Sequence, residues 1–245
     1  MQNTYLILGA SSELGVNLIR ALIEQDRRAV IYAHYNSNKK VLEEVIKKYP
    51  AVDIKSYQAD LSSLDSTRTL IDEIKKENNA PMHIVNFSAC AYRFNRLNEL
   101  EFKRFDVDMT IQVYSFAMIC QAFIPTMVER GYGKIISMLS AATKGIPPKN
   151  TTEYTTVKYA LLGFLKSLAA DYGDAGIGIN GISPGMIETK FIKGIGRKIR
   201  EYNAEKCPQH RNLQVDDVIP AILFLLSENS TFMNGTNLNL TGYVE

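Results

Sequence analysis

Short apolar runs alternate along the chain with segments whose apolar residues recur every three or four positions. Residues 5–8 read as a buried strand, followed by a helix through Leu14, Leu18, Ile19 and Leu22. A second strand at 29–33 precedes a helix through Val41, Val45 and Ile46. A strand at 54–59 and a helix at 66–77 form the third pair. A fourth strand at 83–87 leads to a long helical segment at 107–130. A fifth strand at 134–138 is followed by a helix carrying Tyr154 and ending near Tyr172. A sixth strand covers 177–182, and a short last one 238–240.

This alternation predicts parallel pairing through right-handed crossovers, hence an α/β doubly wound sheet with helices on both faces. Residues 188–213 fit neither period. They are rich in Lys, Arg and Gly and follow the sixth strand, where ligands bind in such sheets. A mobile substrate lid is the expectation, against the plainer reading of a solvated loop.

At 245 residues, 46% of them hydrophobic, the chain can bury one sizeable core, and a single domain over 1–245 is expected. The net charge of +2 comes from interspersed acids and bases, so neither a nucleic-acid stripe nor an acidic tail is predicted. Three unpatterned cysteines, Cys90, Cys120 and Cys207, suit a reduced, cytoplasmic setting. No basic region precedes a long apolar stretch, so no signal peptide is expected. No apolar run approaches the ~20 residues that span a bilayer, so no membrane partner is expected. His34, His83 and His210 lack metal-ligand spacing, and no metal site is predicted.

Candidate chemistry starts at the first strand, which runs into Gly9-Ala10-Ser11-Ser12-Glu13-Leu14-Gly15 and then a helix. Such a turn lets backbone N–H groups and a helix N-terminus hold a pyrophosphate. A carboxylate at Glu13 would repel that pyrophosphate unless it pointed to solvent. Asp60 and Leu61 close the third strand, where a carboxylate can accept from an adenine amino group. Ser62 and Ser63 also allow a helix-cap reading there. Asn86 and Ser88 close the fourth strand and could line a ribose, with Phe87 beside them as cofactor wall or core. At the end of the second strand no carboxylate is present to bind ribose hydroxyls. Asn36, Ser37 and Lys39 or Lys40 could instead receive a 2′-phosphate, which favours NADP without excluding NAD. Finally, Tyr154 and Lys158 lie four apart on one helix face. An ammonium beside a phenol lowers the phenol pKa from roughly 10, giving a general acid or base.

Gly9 to Gly15, Asp60, Asn86, Ser140, Tyr154 with Lys158, and the run from Ser183 to Thr189 occur in the order and near the spacing of the short-chain dehydrogenase/reductase family. The chain resembles that family over essentially its whole length, and most resembles its 3-oxoacyl-thioester (acyl carrier protein) reductase branch. The resemblance implies a Rossmann-type fold and hydride transfer between a nicotinamide and a carbonyl or alcohol. Tyr154 would move the proton, and Lys158 would lower its pKa and hold ribose hydroxyls. Ser140 would polarise the carbonyl. Gln112 aligns with a fourth catalytic residue, an asparagine. Pro184, Gly185, Ile187 and Thr189 would contact the nicotinamide end.

The resemblance also implies a small-molecule substrate, which the thioester branch would carry on a thioester. It implies a homodimer or homotetramer as well, with Phe116, Phe123, Leu161, Phe164 and Leu168 as apolar interface surface. The chain departs from the family at Leu8, Glu13, Phe87-Ser88-Ala89, Gln112 and Thr241-Gly242-Tyr243. These changes leave open a second reading, a catalytically impaired cofactor-binding or scaffold protein of the same fold. Retention of Ser140, Tyr154 and Lys158 favours the enzyme.

Overall fold

The computed structural model describes residues 2–242; Tyr243, one of the departures above, lies outside them. Seven strands form one sheet: β1 (Thr4–Leu8), β2 (Val30–Tyr35), β3 (Asp53–Gln58), β4 (His83–Asn86), β5 (Gly133–Met138), β6 (Ile177–Pro184) and β7 (Asn237–Leu240). Their order is β3-β2-β1-β4-β5-β6-β7. Every pairing is parallel. The helices are α1 (Glu13–Gln25), α2 (Lys40–Lys48), α3 (Leu64–Lys75), α4 (Phe102–Met109), α5 (Ser115–Arg130), α6 (Thr152–Tyr172), α7 (Arg197–Lys206) and α8 (Val215–Leu226).

Burial on both faces explains why β1 reads as a continuous apolar run rather than an alternating one. Along β1, Leu6 and Leu8 join one core with Phe116, Phe123 and Leu161. Tyr5 and Ile7 point into the other, with Ile19, Leu22 and Ile222. The winding reverses between β1 and β4. Chain connections leave in opposite directions there, opening a crevice at the carboxyl ends of the strands.

Four differences from the sequence reading matter. The long helix begins at Phe102 and is interrupted by a π-helical turn, Thr110–Tyr114. Residues 188–213 hold structure: a 3₁₀ turn at Lys190–Ile192 and the helix α7. An Arg200–Glu188 ion pair at 2.9 Å and bridge pairing of Ile187 with Leu213 fasten that segment. Phe116, Phe123 and Leu161, expected at a subunit face, are core residues at 0%, 2% and 1% exposure, because α5 and α6 turn them onto the sheet; Phe164 and Leu168 pack against that core partly buried. The continuous helix Phe102–Arg130 is long and apolar enough to cross a membrane, but its apolar residues Ile119, Ile124 and Met127 are spent in this core.

Phe116 packs edge-on against Phe164, with ring centroids 6.0 Å apart. Phe116→Ala is expected to cost about 3–5 kcal/mol of stability through lost transfer energy and a residual cavity. Urea unfolding of the variant beside the wild type measures it.

Candidate active site

The glycine-bearing turn sits on the crevice. Gly9 has φ +73°, a conformation that suits glycine. A Cβ built on Gly15 would lie 2.6 Å from the Ala10 backbone, so the turn closes this tightly only with glycine there. Ser12 caps α1, accepting from Gly15 N–H at 3.0 Å. The Ser12 oxygen caps the helix while its exposed O–H can still donate to a ligand. Leu14, also expected at the cofactor, packs against the core. Ser11, beside it in the turn, is partly buried.

His34 holds the turn from below. Its Nδ1 accepts the Gly9 N–H at 3.1 Å, and its Nε2 lies 3.1 Å from the Ala59 carbonyl. These partners require the neutral ring with its proton on Nε2. Burial pushes its pKa down to about 4. Glu13 is partly buried. Its carboxylate accepts the Lys190 N–H at 2.7 Å, fastening the segment after β6 to the turn across the crevice. That bond orients the carboxylate toward the segment after β6 and leaves its charge in place.

Asp60 is exposed, and one of its oxygens accepts from both Ser62 N–H (2.9 Å) and Ser62 Oγ (2.7 Å). Leu61 is buried in the core. Ser63 is the α3 cap, so the cap reading holds for this corner while the second Asp60 oxygen remains at the surface. Asn86 is buried and braces the crevice floor: it donates to Ser137 Oγ (3.2 Å) and accepts from Ser88 N–H (3.0 Å). Ser88 Oγ is buried with no partner among the described residues, which fits a ligand hydroxyl arriving there. Asn36 and Ser37 are exposed at the end of β2. Lys39 pairs with Glu43 at 3.3 Å, as a solvated helix face does.

Pro184 ends β6, and Gly185 donates to Leu240 O at 2.9 Å. Ile187 is buried, and Thr189 leads into the 3₁₀ turn. These four lie on the strand-end side of the crevice that also receives Lys190.

The Ser140 hydroxyl lies near enough to the Tyr154 phenol to act on its pKa, and Lys158 follows one helical turn on. Ser140 Oγ accepts from Ala142 N–H at 3.1 Å. Lys158 is buried, donates to Met138 O at 2.7 Å and lies 5.8 Å from the Tyr154 ring centre. One expectation is corrected here. The Tyr154 phenol stands above its ordinary value, at about 12, because burial outweighs the lowering by Ser140. Burial likewise pushes Lys158 down to about 8. With its ammonium directed at Met138 O, Lys158 does not produce the lowered phenol expected from helix spacing alone.

Tyr92 lies edge-on to Tyr154, with centroids 4.7 Å apart, and Phe94 and Phe191 flank Tyr92. The loop carrying Tyr92 is held through Arg104 of α4, which donates to Ala91 O at 2.8 Å and pairs with Glu153 of α6 at 3.2 Å, and by Asn95 N–H to Asn150 O at 2.9 Å, just ahead of α6. Gln112 is fully buried in the π-helical turn and donates to Asp108 Oδ1 at 2.7 Å. A cavity of about 10 Å³, room for one water, opens between Asp108, Cys90, Arg104 and Tyr154. The roles of His34, Asp108 and the Arg104–Glu153 pair were missed in the sequence. Only the approach of distant segments shows them. Among the described residues no group of three His, Cys, Asp or Glu is placed to hold a metal.

A crevice at the winding reversal, a glycine turn at its floor and a serine–tyrosine–lysine set at its side define a dinucleotide-dependent oxidoreductase of the α/β class. The model of the enoyl-(acyl carrier protein) reductase family matches residues 9–242. The chain belongs to that family, within the short-chain dehydrogenase/reductases, oxidoreductases of CH–OH and C=O groups. It is 28% identical to gluconate 5-dehydrogenase of Gluconobacter oxydans, over 97% of this chain and 92% of the relative. It is 25% identical to acetoacetyl-CoA reductase of Allochromatium vinosum, over 99% and 98%. A gluconate 5-dehydrogenase from Burkholderia cenocepacia, solved with NADP and tartrate, superposes with a TM-score of 0.87 at 26% identity, covering 99% of this chain and 95% of that one.

The neutral His34 makes the turn acid-sensitive. Its folded pKa of about 4 lies below the ordinary 6.5, so the unfolded chain takes up the proton first as pH falls. The His34 contribution is complete above pH 6.5, is lost on the way down to about 4, and is worth ~3 kcal/mol at most. Urea unfolding at stepped pH is expected to show this slope, and His34→Gln to flatten it.

Proposed function

We propose that this chain is an NADP-dependent reductase of a small-molecule carbonyl, working reversibly on the matching alcohol. The observation that carries this reading is Ser140 placed near the Tyr154 phenol, one helical turn from Lys158. Bound NADPH supplies the hydride. The turn from Gly9 to Gly15 and the α1 amides would hold its pyrophosphate, Ser88 and Lys158 its ribose hydroxyls, and residues 184–189 its nicotinamide end. The absence of a carboxylate at the end of β2, with Asn36, Ser37 and Lys40 exposed there, supports NADP over NAD. The NADP-bound relative supports the same choice.

The chain's own residues then do three things. Ser140 Oγ donates to the carbonyl oxygen as negative charge gathers on it. Tyr154 gives its phenolic proton to that oxygen. Lys158, turned from Met138 O toward the ribose and phenol, stabilises the resulting phenolate. A buried phenol held up to about 12 is a proton donor at neutral pH until that ammonium swings over, which suits reduction. The acetoacetyl-CoA and gluconate relatives leave a thioester-carried and a polyol-type carbonyl both in reach. Glu13 is held toward the segment after β6 by the Lys190 N–H, and the retained Ser140, Tyr154 and Lys158 favour the enzyme over the impaired-scaffold reading. A cytoplasmic homodimer or homotetramer is the setting we propose.

NADPH oxidation is followed with acetoacetyl-CoA, 5-ketogluconate and a cyclic ketone. Turnover with at least one is expected. Tyr154→Phe is expected to lower it about 10²–10⁴-fold with NADPH affinity kept. A Tyr154→Phe variant as active as wild type contradicts the assignment.

A further inference from the structure

Asp108 sits 4% exposed on α4, just ahead of the π-helical turn. One carboxylate oxygen takes the Gln112 amide at 2.7 Å and the Cys90 N–H at 3.2 Å. A carboxylate only accepts, so this bond fixes which way the Gln112 amide faces: reversed, two oxygens would meet at 2.7 Å. Gln112 Oε1 is thereby turned away, buried and without a partner among the described residues.

Both donors to Asp108 are neutral. Among the described residues it makes no ion pair; Arg104, a cation on its own helix, is committed to Glu153. A buried charge that is bonded but not neutralised acts on whatever ionisable groups lie near. Those facing it are Cys90, Tyr92 and Arg93 from the loop after β4, Arg104 from α4, and Glu153, Tyr154 and Lys158 from α6. Arg104 and Glu153 offset each other and Arg93 is exposed, which leaves Lys158 as the buried cation in range. Its ammonium donates to the Met138 carbonyl and lies over the Tyr154 ring.

We propose that Asp108 is a positioning residue for the Tyr154–Lys158 couple: its buried carboxylate, clamped by the Gln112 amide and the Cys90 N–H, keeps Lys158 in the ammonium form near neutral pH. The proposal rests on the reading of Tyr154 and Lys158 as the proton-moving pair. Burial drives Lys158 down to about 8, and Asp108 is the group that opposes the fall; it also holds the Tyr154 phenol up. Without Asp108 both groups move the same way, downward, so the alkaline limb of carbonyl reduction moves to lower pH. The role assigned to Gln112 changes accordingly. It holds the carboxylate that biases the couple.

The test is a titration of ¹³Cε-lysine-labelled protein by NMR, with the Lys158 signal identified by its absence in Lys158→Met. The wild-type midpoint is expected near 8. In Asp108→Asn it is expected to fall by about half a unit or more, and in Asp108→Glu to return toward wild type. An unmoved midpoint in Asp108→Asn overturns the proposal. So does an equal fall in Asp108→Glu, which would trace the effect to packing. Asp108→Ser is made in parallel, and failure of both neutral variants to fold would make Asp108 a purely structural group and overturn it as well. The titration needs no substrate. A protein that reduces no carbonyl refutes the proposed activity, while the Lys158 midpoint still decides the role of Asp108.

Discussion

The reversal of winding between β1 and β4 is the constraint on which the rest of this molecule depends. A parallel sheet buried on both faces must send its connections to one side or the other, and where they part a crevice has to open. The chain spends specific polar contacts to keep that crevice in shape. His34, reaching up from β2, ties Gly9 to Ala59, so three strand ends are fixed by one neutral ring. Asn86 does the same across β4 and β5, through Ser137 and Ser88. Glu13 crosses the gap to Lys190. Apart from the local Asn86–Ser88 bond, these contacts join residues remote in sequence and hold the strand ends around the crevice together.

Burial, rather than proximity of charge, dominates the electrostatics of the site. Tyr154 is covered by Tyr92, and Lys158 is buried on α6; both are pushed toward their neutral forms. A proton donor beside a weakly held ammonium suits carbonyl reduction, but such a couple would drift to a neutral amine without a counter-charge. Asp108 is placed to supply one. The π-helical turn that breaks the long helix belongs to the same economy: the extra residue in the turn accompanies a pair, Asp108 and Gln112, that bond to each other inside the core.

Much of this was legible in the chain. Periodicity located all seven strands, most plainly β1, where burial on both faces leaves an unbroken apolar run. The glycine turn and the Tyr154–Lys158 spacing gave the positions of the principal chemistry. What stayed hidden depends on long-range packing. Nothing local marks His34 as the support of Gly9, 25 residues earlier, or Asp108 as a neighbour of Lys158. The π turn preserves helical appearance and so reads as plain helix. Residues 188–213 lack an apolar stripe because α7 buries none of its residues, and so a real helix looked like a loop. Phe116 and Phe123 show the opposite error. Apolar residues on a helix say that a face is covered, and only the fold says whether the sheet or a second subunit covers it.

The account's central claim is that this crevice is built for a 2′-phosphorylated nicotinamide dinucleotide. The most direct test is titration of the purified protein with NADPH and with NADH, following nicotinamide fluorescence. The account predicts saturable binding of NADPH at micromolar concentration and NADH at least tenfold weaker. Tighter binding of NADH, or no binding of either at millimolar concentration, would contradict it.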